Sequence, residues 1–204
     1  MRLILASSSP RRAELLAAAG FIFEVMPMDV DERVRANERP DEYVRRLAAE
    51  KSALAMERLG RQGHGEGTGG PAVADSVVLG ADTSVVLDGR ILGKPTTDEG
   101  ARSMLRRLSG RAHDVLTGVS VRCGPAEVGC VETTAVFFAE LGDAEIAWYV
   151  QTGEGRDKAG AYAVQGLASR FVRRIEGSYA NVVGLPVATV HQLLKPFAGP
   201  GGFP

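Results

Sequence analysis

Residues 1–16 read MRLILASSSPRRAELL, and this stretch predicts a strand, a polar turn and a helix in immediate succession. The apolar run at residues 3–5 is typical of a buried strand, which we expect over residues 2–6. Each of the three serines at residues 7–9 can cap a helix, and Pro10 has the fixed backbone angle that suits a first helical position. A helix near residues 10–19, closed by Gly20, should follow, so the chain opens with a strand–helix unit.

Two adjacent cations stand at the start of this predicted helix. Arg11 and Arg12 lie at the end where the helix dipole favours anions. An anion held by free backbone N–H groups, by hydroxyls such as that of Ser7 and by the guanidinium groups would resolve the misfit. The alternative is an ordinary helix cap followed by two solvated arginines. A phosphate site at this turn is therefore a hypothesis that the rest of the chain has to support.

The overall composition bounds the class of protein. With 204 residues, of which 45% are hydrophobic, the chain can form one substantial core or two closely packed lobes. A formal charge of -1 argues against bulk affinity for nucleic acid or an anionic membrane, but allows a local basic cleft for a small anion. No apolar segment reaches transmembrane length, and the N-terminus lacks a signal-peptide pattern, so we expect a soluble, cytoplasmic protein.

Cysteine and histidine do not indicate a metal site. Cys123 and Cys130 could meet in a hairpin, but a cytosolic chain usually keeps such thiols reduced. His64, His113 and His191 are scattered, whereas a transition-metal site needs clustered ligands. We interpret all three histidines as surface or core residues.

Strand and helix patterns alternate along the rest of the chain, which predicts an α/β architecture. We expect a second strand over residues 21–26, a long amphipathic helix from Asp41, and a loop over the glycine-rich residues 60–72, which lack the ending of a P-loop. The later predicted elements are a hairpin turning at Asp88 and Gly89, a helix near 97–108 with Ala101, Leu105 and Leu108 inward, strands near 114–122 and 130–139, a helix near 142–151, a strand at 171–175 and a helix at 187–194. We expect one domain over residues 1–197 and a frayed tail over 198–204.

Asp82 is the first candidate for catalysis, because it stands at the end of an apolar strand in the segment LGADT. A carboxylate in such a place needs a cation, a metal or a hydrogen-bond network. With the turn at Asp88 and Gly89, the hairpin register sets Thr83 opposite Lys94, so Asp82, Thr83 and Lys94 gather at one end of the sheet. Asp82 and Thr83 should point to opposite faces. The alternative is a strand-end aspartate in an Asx turn.

Glu32, Lys51, Lys158 and Gln165 are further candidates, each with a simpler alternative. Glu32 lies in the acidic run DVDE, and its oxygens suit Mg²⁺, although a solvated acidic loop would have the same sequence. Lys51 borders the apolar stripe of the long helix and can reach inward or stay at the surface. Lys158 and Gln165 bracket KAGAYAVQG, where Gly160 permits close approach of a ligand and the glutamine amide could recognise a base. A turn glutamine without a ligand is the alternative.

Seven motifs occur in one order along the chain: ASSSPRR, the early acidic DE, AAEKS, LGADT, a hairpin ending in GKP, DKAGAYAVQG and EGSYANVVGLP. In this combination the sequence resembles the Maf family of nucleoside triphosphate pyrophosphatases over about residues 2–195. The resemblance implies an α/β fold, similar to the inosine triphosphate pyrophosphatases, with a mixed twisted sheet and flanking helices in two lobes around a deep cleft. It also implies hydrolysis between the α- and β-phosphates, giving a nucleoside monophosphate and pyrophosphate, with a divalent metal: Mg²⁺, or alternatively Mn²⁺.

The resemblance also implies roles for individual residues. Asp82 matches the family's proton acceptor and, with Glu32, is the expected metal site. Arg12, Thr83 and Gln165 match positions associated with substrate choice. The remaining residues of the predicted substrate-binding set are Ser7, Arg11, Lys51, Lys94 and Lys158.

The paired arginines, GADT and AYAVQG resemble the subfamily that acts on dTTP and UTP. Two alternatives stay open. One is the same chemistry on a modified or other nucleotide, and the other is a nucleotide-binding regulator, for instance of septum formation, without important catalysis. We expect a nucleoside triphosphate as partner and neither nucleic acid nor membrane, and the resemblance makes a homodimer reasonable.

Overall fold

The computed structural model describes residues 2–62 and 76–198, in which strands and helices alternate. The strands are β1 (Arg2–Leu5), β2 (Phe23–Val25), β3 (Ser76–Leu87), β4 (Arg90–Leu92), β5 (Ala112–Cys123), β6 (Ala126–Phe138) and β7 (Val172–Glu176). The helices are α1 (Pro10–Ala18), α2 (Pro40–Gln62), α3 (Asp98–Leu108), α4 (Asp143–Thr152), α5 (Tyr179–Val183) and α6 (Val187–Leu194). None of the described helices is both long and apolar enough to cross a membrane.

The seven strands form one mixed sheet, which confirms the predicted α/β class with flanking helices. The strand order is β2-β1-β3-β5-β6-β7, and β4 pairs with β3 outside this path. Strand β1 is parallel to both β2 and β3, whereas the β3–β4 and β6–β7 pairs are antiparallel. The parallel pairing of β1 with β2 uses α1 as the connection, as the opening sequence predicts.

The chain divides into two compact units. Among the described residues, unit 1 contains 2–62, 76–82, 117–132 and 184–198, and unit 2 contains 83–116 and 133–183. Strands β3, β5 and β6 are long enough to contribute residues to both units. The single catalytic domain and the deep cleft implied by the resemblance stay predictions.

Unit 1 buries apolar side chains on both faces of its part of the sheet. Leu3 and Leu5 of β1 belong to a cluster with Leu16 of α1 and with α6, whereas Ile4 packs with α2. This alternation follows from the two-residue period of a strand. Each such fully buried leucine or isoleucine contributes about 1.5–3 kcal/mol through the area removed from water.

Unit 2 has an aromatic cluster beside its strands. His113 of β5 packs edge-on against Phe138 and Tyr162, with ring centroids 5.0 and 5.4 Å away, and its Nε2 lies 2.8 Å from the Tyr162 hydroxyl. Burial lowers the pKa of His113 to about 4. His113 is thus a core residue and His191 an exposed one, as expected, while His64 lies outside the described residues.

Several element boundaries differ from the sequence predictions. Strand β2 has three residues where six were expected, and α2 begins at Pro40, which is tolerated in a first helical turn. Strand β6 begins at Ala126 and not near 130, because Gly124 adopts a positive φ and closes a tight β5–β6 turn. Helix α2 extends to Gln62, three residues into the predicted loop, and residues 63–72 of that loop and 199–204 of the predicted tail lie outside the described residues.

Candidate active site

Helix α2 lies close against β3 and β5 because both strands carry glycine at the contact. A Cβ atom on Gly80 would lie 2.2 Å from the carbonyl oxygen of Ala48, and one on Gly118 would lie 2.1 Å from that of Val44. Val44 and Ala48 are one turn apart on α2, and β3 and β5 are neighbours in the sheet. Since no Cβ atom fits at these two positions, the α2 backbone lies directly against the central part of β3 there.

This close approach brings Lys51 to Asp82. Asp82 follows Gly80 by two residues on the same face of β3, and Lys51 follows Ala48 by about one turn of α2. The Lys51 Nζ donates to Asp82 Oδ1 at 2.7 Å and to Glu32 Oε1 at 3.2 Å. The side chains of Lys51 and Asp82 are 9% and 11% exposed, whereas that of Glu32 is 52% exposed. One buried ammonium group therefore bridges a buried carboxylate and a half-open one.

The Asp82 carboxylate is only partly engaged by the protein. Its Oδ1 accepts from Lys51, while no hydrogen bond from residues 2–62 or 76–198 reaches its Oδ2. An ionised carboxylate oxygen is a pure acceptor. Oδ2 can therefore take a proton from water or coordinate a cation.

Arg12 is buried beside this pair. Its Nη1 donates to Ser7 Oγ at 3.0 Å and to the Ala81 carbonyl oxygen at 2.8 Å, and its Nε donates to the Gly184 carbonyl oxygen at 2.8 Å. Burial lowers the pKa of Arg12, and the negative charge of Asp82 opposes that effect. The guanidinium group thus ties α1 to β3 and to the segment before α6, and it adds positive charge to the surroundings of Asp82.

Arg11 provides a cation that no carboxylate among the described residues neutralises in an ion pair. It is half-buried, and its charge helps to lower the pKa of Arg12. Ser9 occupies the cap position of α1, but its side chain makes no capping hydrogen bond, and Ser7 Oγ instead accepts from the Ser9 backbone N–H at 3.2 Å. The expected side-chain cap of α1 by a serine is therefore wrong, and the Ser7 hydroxyl instead accepts from Arg12 and from the backbone of the turn.

Thr83 and Lys94 lie in unit 2. The β3–β4 hairpin has the predicted register, but its last pair is Val85 with Leu92. Thr83 and Lys94 therefore lie beyond the ladder, and their direct pairing stays a prediction. Lys94 is exposed and forms no ion pair within residues 2–62 and 76–198.

Lys158 and Gln165 also belong to unit 2. Between them, Gly160 has a φ of +69°, and a Cβ atom there would lie 3.0 Å from Val85, so this turn requires glycine to pack against β3. Lys158 forms an ion pair with Asp157, and Gln165 is exposed. Contacts of either residue with a ligand stay predictions.

The structure adds Tyr43 and Arg46 of α2, which the sequence did not single out. The Tyr43 hydroxyl donates to the carbonyl oxygen of Glu32 at 2.9 Å, and Arg46 donates to the carbonyl oxygens of the residues on either side of Glu32. Burial, with the charges of Asp82 and Glu32, raises the pKa of Tyr43 to about 12. A tyrosine one turn before Leu47 resembles an ordinary core residue, so no local signal marked it.

The carboxylate oxygens of Glu32 and Asp82 fit a divalent cation that also binds a phosphate. Glu32 and Asp82 both contact the same Lys51 Nζ, so their oxygens converge on one region. Mg²⁺ is usually held by one or two carboxylates together with waters and substrate phosphates. Within the part of the chain that the structure describes, no group of three or more His, Cys, Asp or Glu side chains could hold a metal ion. A closed structural metal site is therefore not built from these residues.

The chain is similar to known proteins over most of its length. The family described as Maf-like protein matches residues 2–197. A dTTP/UTP pyrophosphatase of Anaeromyxobacter dehalogenans is 51% identical over 95% of this chain and 93% of its own length. Proteins of the same name from Hahella chejuensis and Vibrio cholerae are 49% and 48% identical over 96% of this chain, and 92% and 98% of their own lengths are covered. The Staphylococcus aureus Ham1 structure matches 69% of this chain and 73% of that chain at 18% identity, with a TM-score of 0.43, a likeness too distant to support an inference.

Proposed function

The chain belongs to the Maf family, and from this premise we propose that it is a nucleoside triphosphate pyrophosphatase that hydrolyses dTTP and UTP. The products are the nucleoside monophosphate and pyrophosphate. Relatives that cover nearly the whole chain at 46–51% identity carry the name dTTP/UTP pyrophosphatase, which supports the substrate assignment. The observation that carries the chemistry is the buried Asp82, with one oxygen held by Lys51 and the other available.

Asp82 is the proposed proton acceptor. Its hydrogen bond from Lys51 orients the carboxylate, and Oδ2 takes a proton from a water molecule. The water oxygen forms a bond to the α-phosphorus, and the bond from that phosphorus to the bridging oxygen breaks, so pyrophosphate leaves. Because the protein forms no covalent intermediate in this scheme, positioning and charge stabilisation provide most of the rate enhancement.

The cations of unit 1 are proposed to stabilise the charge on the phosphates. Arg11 is not neutralised by an ion pair within the described residues, and Arg12 and Lys51 are buried where the dielectric constant is low. Guanidinium groups suit phosphate oxygens because they offer several N–H donors in a fixed plane. Ser7 holds Arg12 in this position through its hydroxyl.

A divalent cation, Mg²⁺ or Mn²⁺, is part of the proposal, with Glu32 and Asp82 as its protein ligands. When bound, such an ion neutralises phosphate charge and stabilises the leaving pyrophosphate.

The resemblance to the family assigns selection of the base to Arg12, Thr83 and Gln165. Such selection works because a hydrogen-bonding site rejects a base that leaves its polar groups unpaired. We also propose a cytoplasmic location, the compartment that the sequence predicts.

Product analysis tests this function. The purified protein is incubated with Mg²⁺ and each of dTTP, UTP, CTP, ATP and GTP, and the nucleotide products, pyrophosphate and orthophosphate are separated by ion-exchange chromatography. We expect dTTP and UTP to react fastest and to give equal amounts of monophosphate and pyrophosphate. Release of orthophosphate and a nucleoside diphosphate would contradict the reaction, and nucleotide binding without turnover would favour the regulatory alternative.

A further inference from the structure

Glu32 lies in a connection between β2 and α2, residues 26–39, that contains neither a strand nor a helix. Its carboxylate nevertheless meets the buried Lys51 Nζ at 3.2 Å. A half-exposed side chain on an irregular segment keeps one position only if the backbone beneath it is held. The contacts that hold this backbone come from α2, the helix that also carries Lys51.

Three successive carbonyl groups of this connection are hydrogen-bonded by two side chains. The Tyr43 hydroxyl donates to the Glu32 carbonyl oxygen at 2.9 Å. Arg46 donates from Nη1 to the Asp31 carbonyl oxygen at 3.4 Å and from Nη2 to that of Arg33 at 3.2 Å. The backbone on both sides of Glu32 is therefore fixed to one face of a rigid helix.

Arg46 is itself fixed. Its side chain is only 12% exposed, and its Nε and Nη2 donate to the two carboxylate oxygens of Glu38 at 2.5 and 2.9 Å. Its Nη1 also reaches Glu50, 3.3 Å away on the same helix, and its guanidinium carbon lies 5.5 Å from the centre of the Tyr43 ring. An arginine with a bidentate ion pair and an aromatic ring beside it has little freedom, so it can hold the connection at a defined distance from Lys51.

We propose that Tyr43 and Arg46 are positioning residues of the active site, which hold the Glu32 carboxylate beside Lys51 and Asp82 in a conformation ready for the divalent cation. This inference rests on the proposed function in assigning Glu32 to that cation. In this proposal the two residues touch neither substrate nor cation and act through the carbonyl groups of Glu32 and of the residues on either side of it. Because α2 carries Tyr43, Arg46 and Lys51, one rigid helix positions both the ammonium group and the carboxylate of the Lys51–Glu32 ion pair.

A double-mutant cycle between Tyr43→Phe and Glu32→Gln tests the proposal. Tyr43→Phe removes one hydroxyl and keeps the ring, so it should lower kcat and the Mn²⁺ affinity of the substrate-free protein about fivefold each, the effect of one lost hydrogen bond. Mn²⁺ binding is measured by electron paramagnetic resonance, and kcat by pyrophosphate release. In a protein that already carries Glu32→Gln, Tyr43→Phe should change neither quantity further.

Arg46 is tested with two substitutions and a control. Arg46→Met should lower Mn²⁺ affinity by about tenfold or more, since it frees two carbonyl contacts, and Arg46→Lys should restore little because it loses the planar fork. The control is Arg33→Gln, which removes an 88% exposed side chain paired with Asp31 in the same connection and should leave Mn²⁺ affinity unchanged. Urea unfolding of each variant separates these effects from loss of the fold.

Additive losses in the cycle, or unchanged Mn²⁺ affinity in a folded Tyr43→Phe protein, would overturn the positioning role. The Mn²⁺ measurement needs no nucleotide, so the two proposals can fail separately. A wild-type protein that binds Mn²⁺ through Glu32 but does not hydrolyse dTTP or UTP would refute the proposed function and leave the positioning role intact.

Discussion

Removal of the Lys51 ammonium group is the perturbation whose effect follows most directly from the structure. Lys51→Met keeps most of the aliphatic chain but leaves the buried Asp82 carboxylate without the cation that is now 2.7 Å away. Loss of one partner of a buried ion pair costs about 3–5 kcal/mol. The second partner of Lys51, Glu32, is half-exposed and can be solvated by water, so the loss of this ion pair adds little to the loss of stability. We therefore expect a free energy of unfolding lower by about 3–5 kcal/mol, and a Tm lower by roughly 10 °C for a chain of this size.

The assay is urea unfolding followed by far-ultraviolet circular dichroism, at neutral pH and without added metal. Combining Lys51→Met with Asp82→Asn removes the unpaired charge, so the double variant should lose at least about 2 kcal/mol less than the sum of the two single losses. Lys195→Met, which removes an exposed lysine, is the matched control and should change stability by less than about 0.5 kcal/mol. Strictly additive losses for Lys51→Met and Asp82→Asn would refute the buried pair.

Three further predictions test other parts of the account. Gln165→Glu should alter the ranking of nucleotides more than the maximal rate, and an unchanged ranking over a panel of triphosphates would count against its role in selection. Gly80→Ala should destabilise the protein by about 3 kcal/mol or more, because its Cβ would lie 2.2 Å from the Ala48 carbonyl oxygen, while the control Gly60→Ala, with nothing within 4 Å, should be neutral or stabilising in urea unfolding. Since burial lowers the pKa of His113 to about 4 from 6.5, only the unfolded chain binds that proton between these values, so stability should fall by about 3 kcal/mol as pH falls from 6.5 to 4. His113→Phe should remove that part of the pH dependence, and an unchanged slope would exclude His113 as its source.

Elements whose information is local were predictable from the sequence. The turn residues Asp88 and Gly89 adopt positive φ angles and set the β3–β4 register as expected. In α3 the predicted residues Ala101, Leu105 and Leu108 are buried, and Thr97 caps the helix by accepting from the Gly100 backbone N–H. In both cases the residues that decide the conformation are only a few positions apart.

Contacts between distant segments were not predictable in the same way. The buried Arg12 guanidinium donates to the carbonyl oxygens of Ala81 and Gly184, which are 69 and 172 residues away in the sequence. No pattern near Arg12 indicates these two partners. Gly80 did offer a signal, because an isolated glycine within a strand often marks the close approach of another backbone. Together with the helix periodicity around Ala48, this glycine could have been used to predict from the sequence that Lys51 lies near Asp82.

The most direct test of the account compares pyrophosphate release from dTTP and UTP by the wild-type protein and by Asp82→Asn, with nucleotide binding measured on the same preparations. Asparagine is nearly isosteric with aspartate but a poor base, so we expect at least about a 100-fold loss of kcat with binding retained. Near-normal turnover by Asp82→Asn would contradict the assignment of Asp82 as the proton acceptor.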